Sequence, residues 1–377
     1  MPKVILEYVW LDAKQKFRTK VKIVDEIHHY NSTDSKHWSK NAPMWNYDGS
    51  STGQAEGHDS EILLKPYLAV YSPYDEKTPK FYVFCESLNK DGTPAEGNTR
   101  HTCVKYFEQD RVKESDPIFG MEQEFYVLKD GKPLVWSDNP EPQGDYYCGV
   151  GHQSIGRGRA FLEEMTNIIN DDDLKLNITG TNMEVGPGQM EVQLCEHGLE
   201  AADKMLVMRF FMIIEAEARD LEVDFTPKPS ILSGPEWNGS GCHVNFSTKE
   251  MREDGESPLS AVLAMANALQ NLKDNHSSQV QYLGSENNRK RLTGENETSS
   301  YDTFTYGVAH RGASARIPRQ CVKDLKGYIE DRRPGSDMDP YVVLPLICEA
   351  GIQKSSKKEQ VHQILHKILA VHSQEYL

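Results

Sequence analysis

The stretch Gly180-Thr-Asn-Met-Glu-Val-Gly-Pro-Gly-Gln-Met-Glu-Val-Gln193 is the most informative part of this 377-residue chain. It places two carboxylates, Glu184 and Glu191, on either side of a Gly-Pro-Gly turn. If the arms of the turn are paired strands, we expect these two side chains to face each other. Like charges directly opposite each other destabilise a strand pair, and the stretch holds no Lys or Arg to neutralise them. The stretch therefore predicts half of a cation site.

A second acidic segment, Phe119-Gly-Met-Glu-Gln-Glu-Phe-Tyr-Val-Leu128, alternates in the manner of a strand. The alternation puts Glu122 and Glu124 on one face and apolar side chains on the other. Taken alone, such a pair is more typical of a solvated strand face than of metal ligands. Acidic residues in Gly-rich, otherwise apolar segments recur four times in this chain, however, and a solvated face does not require that.

Two further segments supply candidate ligands. His243 lies in a Gly-rich stretch, residues 237–247, whose His-Val-Asn-Phe run alternates like a strand. Glu330 and Arg332, at a spacing of two, share a predicted strand face before a Pro-Gly turn. A lone histidine is more often a hydrogen-bonded strand residue than a ligand. Several carboxylates with one imidazole suit a hard cation, Mg²⁺ or Mn²⁺, better than zinc or copper.

Arginines are grouped in two short segments, residues 288–298 and 306–319. Arginine suits bidentate contact with a carboxylate or phosphate, and its charge does not titrate away. The chain has 42 basic against 57 acidic residues and a net charge of −15, so the group does not indicate a nucleic-acid surface. We expect local anion capture, with structural ion pairs as the alternative for some members. The arginines are Arg291, Arg311, Arg316 and Arg319, and the candidate partners are Asp302, Asp324 and Asp331.

Six candidate metal ligands beside several arginines predict a phosphoryl-transfer site, in which metal ions and arginines neutralise the charge of the moving group. The sequence contains neither a Walker-type phosphate loop nor the glycine-rich loop of protein kinases. An ATP site in this chain would therefore be of another kind.

Eight segments in order resemble the glutamine synthetase family of the type found in eukaryotes and some bacteria, over nearly the whole chain. They are Trp45-Asn-Tyr-Asp-Gly-Ser-Ser-Thr-Gly-Gln54, Gly120-Met-Glu-Gln-Glu-Phe125, Tyr146-Tyr-Cys-Gly-Val-Gly151, the Glu184 to Glu191 turn, Asn238-Gly-Ser-Gly-Cys-His243, Arg291-Leu-Thr-Gly294, His310-Arg-Gly-Ala-Ser314 and Glu330-Asp-Arg-Arg-Pro334. The chain departs from the usual pattern at Gly186, where the family commonly has Met. Further departures occur at Asn296, His310 and Ile118.

The resemblance implies two or more Mg²⁺ or Mn²⁺ ions per site. One would be held near glutamate by Glu124, Glu184 and Glu191, and the other near the ATP phosphates by Glu122, His243 and Glu330. It also implies an amino-acid site and a nucleotide site. The former would contain Asn238, Gly239, Arg291 and Arg332, and the latter Asn245, Ser247, Arg311, Arg316 and Tyr328.

The implied reaction is the ATP-dependent ligation of ammonia to glutamate through γ-glutamyl phosphate. Asp48 of a neighbouring subunit would bind ammonium, and Glu297 would lie on a flap that excludes water and accepts a proton. The expected assembly is a decamer of two pentameric rings with active sites between adjacent subunits. The rivals are a ligase that uses a larger amine, a non-catalytic structural relative and, less favoured, a simple metal-dependent hydrolase.

Composition and patterning predict an α+β protein in two domains. The resemblance implies that the strand-rich residues 1–102 form the family's small β-grasp domain and that residues 103–377 form a catalytic domain with a curved antiparallel sheet flanked by helices. Helices are expected at Glu200–Leu221, after Ser257-Pro258, and over a C-terminal apolar stripe that begins at Val361. Seven scattered cysteines, no apolar run of membrane length and no signal segment predict a cytoplasmic protein without membrane or nucleic-acid partners.

Overall fold

The structure is a computed structural model that describes residues 3–25, 35–74, 77–134, 140–142, 145–150, 153–232, 234, 236–253, 255, 257 and 259–374. Side chains are described for these residues except 153–157. Gly151, the last residue of the quoted Tyr146 segment, and Pro258, the expected helix start, lie outside the described residues.

The chain divides into two compact units. One contains residues 1–104 with 167–176, and the other contains residues 105–166 with 177–377. The predicted domain boundary between residues 102 and 103 remains a prediction.

The first unit is built on a five-stranded mixed sheet in the order β2-β1-β5-β4-β3, in which β1 and β5 are parallel and the other pairs antiparallel. A short helix, α1, packs against β4 and β5. The elements are β1 (Lys3–Leu11), β2 (Phe17–Asp25), α1 (Ser35–Asn41), β3 (Trp45–Asp48), β4 (Glu61–Tyr71) and β5 (Lys80–Leu88), with a 3₁₀ turn at Gly49–Thr52. Helix α2 (Arg100–Phe107) begins in this unit, and its residues from Lys105 onward belong to the second.

One face of this sheet carries the core of the first unit. The alternating residues of β1, among them Leu6 and Tyr8, pack there against Phe81 and Trp38. The first two strands form a hairpin, in which Leu11 pairs with Phe17 across the turn. A sheet with a helix against one face fits the expected β-grasp architecture.

The second unit holds the remaining elements. They are α3 (Asp110–Glu114), β6 (Ile118–Lys129), β7 (Lys132–Pro133), α4 (Gln153–Ile169), β8 (Ile178–Met183), β9 (Gln189–His197), α5 (Gly198–Glu217), β10 (Glu222–Asp224), β11 (Cys242–Ser247), α6 (Lys249–Arg252), α7 (Ser260–Asp274), α8 (His276–Gln279), α9 (Glu286–Arg291), β12 (Tyr306–Val308), β13 (Ala315–Ile317), α10 (Arg319–Asp324), β14 (Ile329–Asp331), α11 (Pro340–Ile352) and α12 (Lys358–Gln374).

The strands of the second unit form a nine-stranded sheet in the order β12-β13-β14-β11-β6-β9-β8, with β7 and β10 also paired to β6. All pairs are antiparallel except β12 and β13, which are parallel. The α+β class is therefore confirmed, while the sheet expected to be antiparallel is mixed at this edge. Strand β6 is central, so residues along it can meet side chains from both neighbours.

Helices supply much of the apolar packing of this unit. Helix α5, predicted at Glu200–Leu221, packs against β9 and β6, and its Met205, Met208 and Phe211 are fully buried. The C-terminal stripe forms α12, on which Val361 is buried. These stripes are core, as expected for amphipathic helices.

All seven cysteines lie in the described part of the chain and none is disulfide-bonded. Among the described residues, no helix combines the length and the apolar character that crossing a bilayer requires.

Candidate active site

Strand β6 positions two carboxylates on one face of the nine-stranded sheet. Glu122 lies directly opposite His243 of β11, and Glu124 lies directly opposite Glu191 of β9. Phe125, on the other face, is fully buried. The predicted alternation along this strand is confirmed, and it brings together acidic groups from β6 and β9 and an imidazole from β11.

The predicted pairing of Glu184 with Glu191 is wrong. The residue opposite Glu191 on β8 is Asn182, and Glu184 is instead the last residue before the loop, where its amide donates to the Gln189 carbonyl at 2.8 Å. The loop of residues 185–188 is centred one position earlier than the sequence suggested, which shifts the register by two residues. Because side chains on a strand repeat with a period of two, Glu184 remains on the same face as Glu191.

The most compact acidic cluster joins Glu122, His243 and Glu330. One ligand atom from each lies within 4.8 Å of the other two. His243 Nδ1 is 3.5 Å from a Glu122 oxygen and 3.7 Å from a Glu330 oxygen. Burial and the charge of Arg332 lower the pKa of His243 well below its usual value. The imidazole is therefore neutral near pH 7 and has a lone pair available for a cation.

A second acidic group, Glu124, Glu184 and Glu191, lines the same cavity. Within the described part of the chain it does not converge as tightly as the first cluster. Burial, followed by the charges of Glu122 and Glu184, raises the pKa of Glu191 to about 8. Burial also raises the pKa of Glu184, and burial with the other two carboxylates raises the pKa of Glu124 well above its usual range. Such a group ionises fully only when a cation balances it.

Neighbouring side chains hold these carboxylates in place. Asn182 Nδ2 donates to Glu184 at 2.9 Å, and Gln193 Nε2 donates to Glu191 at 2.7 Å. Both line the cavity, and sequence reasoning missed both. The signal was present, because each lies two residues from its glutamate and therefore on the same strand face.

The cavity has a volume of about 190 Å³. Its lining contains both acidic side chains and arginines. Most of the predicted site residues line it. They are Glu122, Glu124, Glu184, Glu191, Asn238, Gly239, His243, Arg291, Glu297, Arg311, Arg316 and Arg332. Lining residues that were not predicted as site residues are Tyr147, Asn182, Val185, Gln193, Asn296 and Thr298.

Arg291 is buried at the cavity wall. Its Nη2 donates to the main-chain carbonyls of Arg332, Arg333 and Pro334 at 3.1, 2.8 and 2.9 Å. Burial lowers its pKa to about 10, with Glu124 opposing and Arg332 adding to the shift. The guanidinium is still charged at neutral pH, so it can attract an anion into the cavity.

Arg316 and Arg332 both donate to the carboxylate of Glu330, Arg332 at 2.7 Å. Glu330 is completely buried and, unlike its partners, is not part of the cavity lining. The three cavity arginines predicted from sequence do not pair with the suggested aspartates, since Asp331 binds Arg333 and Asp302 binds Arg289. Arg319, the fourth member of that group, begins α10 and does not line the cavity.

Three of the residues expected at the nucleotide site, Asn245, Ser247 and Tyr328, are not part of the cavity lining, whereas Arg311 and Arg316 are. Asn245 Nδ2 donates to Glu122 at 2.7 Å, and Ser247 Oγ accepts from Arg252 at 3.0 Å. Tyr328 is partly exposed. Asn245 therefore orients a carboxylate of the compact cluster, while the contacts of Ser247 and Tyr328 with a nucleotide remain predictions.

Glu297 lies in the segment expected to act as a flap. Its carboxylate accepts from Arg311 Nη1 at 3.2 Å, and its carbonyl accepts from Arg332 Nη2 at 3.4 Å. Glu297 and the preceding Asn296 both have positive φ, 64° and 50°. Two successive left-handed residues other than glycine cost conformational energy, which is typical of segments that change position.

Asp48 belongs to the first unit, at the end of β3. Its carboxylate caps the following 3₁₀ turn by accepting from the amide and the hydroxyl of Ser50 at 3.0 and 2.6 Å. These hydrogen bonds lower its pKa. The side chain is exposed and ionised at neutral pH, and its role at a neighbouring subunit's site remains a prediction.

The donor set fits a hard divalent cation. It consists of carboxylate oxygens and one neutral imidazole, with no thiolate among the donors, which suits Mg²⁺ or Mn²⁺. Residues that could hold such ions are the six predicted from sequence.

A buried carboxylate and imidazole cluster facing several arginines defines a class of enzyme that handles anionic substrates with the help of divalent cations. Comparison with known families gives the particular family. The family described as "Glutamine synthetase, catalytic domain" matches residues 96–374. The chain therefore belongs to the glutamine synthetase family and is an enzyme of the ligase class.

Individual relatives agree along almost the full length. The chain is 39% identical over 361 residues to "Glutamine synthetase cytosolic isozyme" of Pinus sylvestris, covering 93% of this chain and 94% of that protein. It is 40% identical over 363 residues to "Probable glutamine synthetase" of Caenorhabditis elegans, covering 92% of each. It is 42% identical over 354 residues to "Glutamine synthetase" of Kluyveromyces lactis, covering 92% of this chain and 88% of that protein.

Proposed function

We propose that the protein joins ammonia to the γ-carboxylate of glutamate at the expense of ATP, through γ-glutamyl phosphate. The observation that carries this proposal is that one cavity is lined by Glu122 and His243, which cluster with Glu330, and also by Arg291 and Arg311. Cation ligands and anion-binding groups at one cavity are what a phosphoryl transfer between two anions needs.

The carboxylates divide into two sets by position. Glu122, His243 and Glu330 would hold the ion on the nucleotide side, and Glu124, Glu184 and Glu191 would hold the ion nearer the amino acid. Bound there, divalent cations would neutralise phosphate charge and keep the buried carboxylates ionised. The partners Asn245, Asn182 and Gln193 fix the orientation of individual carboxylates, which is the usual role of groups behind metal ligands.

The amino-acid substrate would be bound by Asn238, Gly239, Arg291 and Arg332. Arg291 is already fixed by three main-chain carbonyls, so its charge is pre-positioned and costs little further ordering on binding. Arg311 and Arg316 would face the phosphates, and Asn245, Ser247 and Tyr328 would lie along the nucleotide. Arg316 and Arg332 currently share Glu330, and an incoming anion would compete for them.

The chemistry proceeds in two steps. A carboxylate is a poor acyl donor, so the γ-carboxylate of glutamate first attacks the terminal phosphorus of ATP and ADP leaves. Ammonia then attacks the acyl carbon, and inorganic phosphate leaves. Asp48 of an adjacent subunit would bind ammonium and help to remove its proton, while Glu297 would cover the site, exclude water and accept a proton from the adduct.

The site requires Asp48 from another copy in this scheme, so we also propose a ring assembly, a decamer of two pentamers with sites between adjacent subunits. We further propose a cytoplasmic location, in line with seven cysteines of which none forms a disulfide bond. Glutamate, ATP and ammonium are the proposed small-molecule partners.

Two rivals are distinguished by the same assay. A ligase for a larger amine would release phosphate and form product faster with that amine than with ammonium. A non-catalytic relative would release none, although the filled ligand positions disfavour it, because buried carboxylates with raised pKa values are costly to keep together.

The test is a phosphate-release and glutamine-formation assay with glutamate, ATP and Mg²⁺, with and without ammonium. The proposal expects stoichiometric glutamine and phosphate only when ammonium is present. Phosphate release without glutamine would indicate a hydrolase, and no reaction with any amine would overturn the proposal.

A further inference from the structure

Tyr126 follows Glu122 and Glu124 on the same face of β6. Its side chain is fully buried, yet its hydroxyl has no hydrogen-bond partner among the described residues. Burial, with the charges of Glu124 and Glu184, raises the pKa of this phenol, so it remains a neutral donor. A buried hydroxyl without a hydrogen-bond partner lowers the stability of the folded protein.

Gly186 lies against that hydroxyl, in the loop between Glu184 and Gln189. A Cβ atom built on Gly186 would be 2.3 Å from the Tyr126 hydroxyl oxygen and 3.0 Å from Gln189 Oε1. The φ of Gly186 is outside the left-handed region, so its backbone conformation is open to other residues. The space taken by the Tyr126 hydroxyl, and not the backbone, therefore restricts this position to glycine.

The loop that contains Gly186 has candidate metal ligands or their partners at both ends. Glu184 precedes it directly. Gln189 closes it, because Gln189 Oε1 accepts from the Gly186 amide at 3.0 Å while Gln189 Nε2 donates to Glu124 at 3.2 Å and to the Gly239 carbonyl at 3.2 Å. A shift of Gly186 would therefore be transmitted to Glu184 and, through the Gln189 carboxamide, to Glu124.

We propose that the contact between Tyr126 and Gly186 positions Glu184 and Glu124, which makes Tyr126 a positioning residue for the cation nearer the amino acid. This inference rests on the proposed function, since it concerns the same cation site. It assigns a task to a side chain that touches neither substrate nor metal. The hydroxyl fills the space that a side chain at position 186 would otherwise occupy, and the loop rests on it.

The test is a double-mutant cycle of Gly186→Ala, Tyr126→Phe and the combined variant, read out as Mn²⁺ affinity without nucleotide. Gly186→Ala should weaken Mn²⁺ binding by about 10- to 100-fold, the usual effect of disturbing groups behind metal ligands. Tyr126→Phe should weaken Mn²⁺ binding by a smaller factor, because the loop then loses the hydroxyl on which it rests. The combined variant should recover most of both losses, because the new methyl group takes the place of the hydroxyl and its nearest neighbours are then Gln189 Oε1 at 3.0 Å and the ring Cζ at 3.3 Å. Coupling between the two sites is what such a cycle measures.

Gly57→Ala is the matched control, since a Cβ on Gly57 meets nothing within 4 Å, and it should leave Mn²⁺ affinity unchanged. Equal losses for Gly186→Ala in both backgrounds would overturn the proposal, as would unchanged affinity. A lowered Tm with retained affinity would also overturn it, because the contact would then serve only stability. If Gly186→Ala does not fold, recovery of folding and Mn²⁺ binding in the combined variant supports the contact, and its failure rejects it.

The double-mutant cycle distinguishes failure of the role proposed for Tyr126 from failure of the proposed function. Wild-type protein that binds Mn²⁺ and makes glutamine, together with an uncoupled cycle, would remove only the role of Tyr126. Wild-type protein that binds no Mn²⁺ would remove the cation site itself.

Discussion

Glu124 and Glu191 lie directly opposite each other across β6 and β9, and both are almost completely buried. Two like charges in this position repel each other at close range, and removal from water adds to the cost. Burial is the main cause that raises the pKa of both carboxyls, with Glu184 and Glu191 adding to the shift of Glu124, and Glu122 and Glu184 adding to that of Glu191. This buried acidic group couples the protonation of the site to its occupation by a cation.

A pH dependence follows from the pKa of Glu191, about 8 in the folded chain against an ordinary 4.5. Folding favours the neutral carboxyl, so this stabilising contribution is complete below the ordinary value and is lost as the pH rises to about 8. Mg²⁺ binds the ionised form. We expect the gain in Tm on adding Mg²⁺ to grow from about pH 6 to about pH 8.5, because fewer protons must be displaced.

The control for this measurement is Glu191→Gln, which removes one of the carboxyls with a raised pKa and should weaken the pH dependence of the Mg²⁺ effect. A gain in Tm that is the same at every pH in the wild-type protein would contradict the assignment of Glu191 as a cation ligand.

Glu330→Gln should reduce Mn²⁺ affinity by at least about 10-fold and suppress phosphate release, because it removes a ligand charge from the compact cluster. The amide keeps the volume of the side chain but leaves Arg316 and Arg332 without their shared carboxylate. Isothermal titration with Mn²⁺ gives the affinity. Glu349→Gln, which removes an ion-paired carboxylate away from the cavity, should leave it unchanged, and wild-type affinity in Glu330→Gln would refute the assignment.

Arg291→Lys should raise the KM for glutamate by about 10-fold or more, with a smaller effect on kcat, because lysine keeps the charge but loses the planar fork. The replaced guanidinium also holds the carbonyls of residues 332–334, so a modest fall in Tm is expected. Arg289→Lys is the matched control on the same helix, since that side chain is exposed. Steady-state kinetics at varied glutamate concentration give the KM of each variant. An unchanged KM in Arg291→Lys would exclude Arg291 from substrate binding.

Mixing Asp48→Ala subunits with Arg311→Ala subunits should restore activity that neither variant has alone. If each site takes Asp48 from one subunit and Arg311 from its neighbour, random mixing of equal amounts leaves roughly a quarter of all sites with both residues intact. Activity is measured after joint refolding, with ring formation checked by light scattering. Well-formed mixed rings without recovered activity would show that the site is not shared.

Much of the site could be predicted from sequence because strand alternation has a fixed period. The spacing of Glu122 and Glu124 was enough to place them on one face, and the same rule would have found Asn182 and Gln193. The register of the hairpin at Glu184 was predicted incorrectly, since a Gly-Pro-Gly segment allows more than one loop centre and the sequence does not say which residues close the loop.

Contacts between segments far apart in the chain could not be predicted from the local sequence pattern. Arg316 and Arg332 both donate to Glu330, and this arrangement depends on how β13 and β14 pair. The burial of Glu330 depends on the whole sheet. The parallel pairing of β12 with β13 was likewise not visible, because strand direction is decided by the path of the connecting chain.

The sequence by itself determined the chemical kinds of the groups, the faces on which they lie and the family to which the chain belongs, because side-chain chemistry and strand period are local properties. Only the tertiary structure decided that Glu124 meets Glu191, that Glu330 is sealed between two arginines and that the Tyr126 hydroxyl lies against Gly186. Those relationships depend on the register and packing of segments far apart in the chain, where close-packed volume leaves one arrangement of the available side chains.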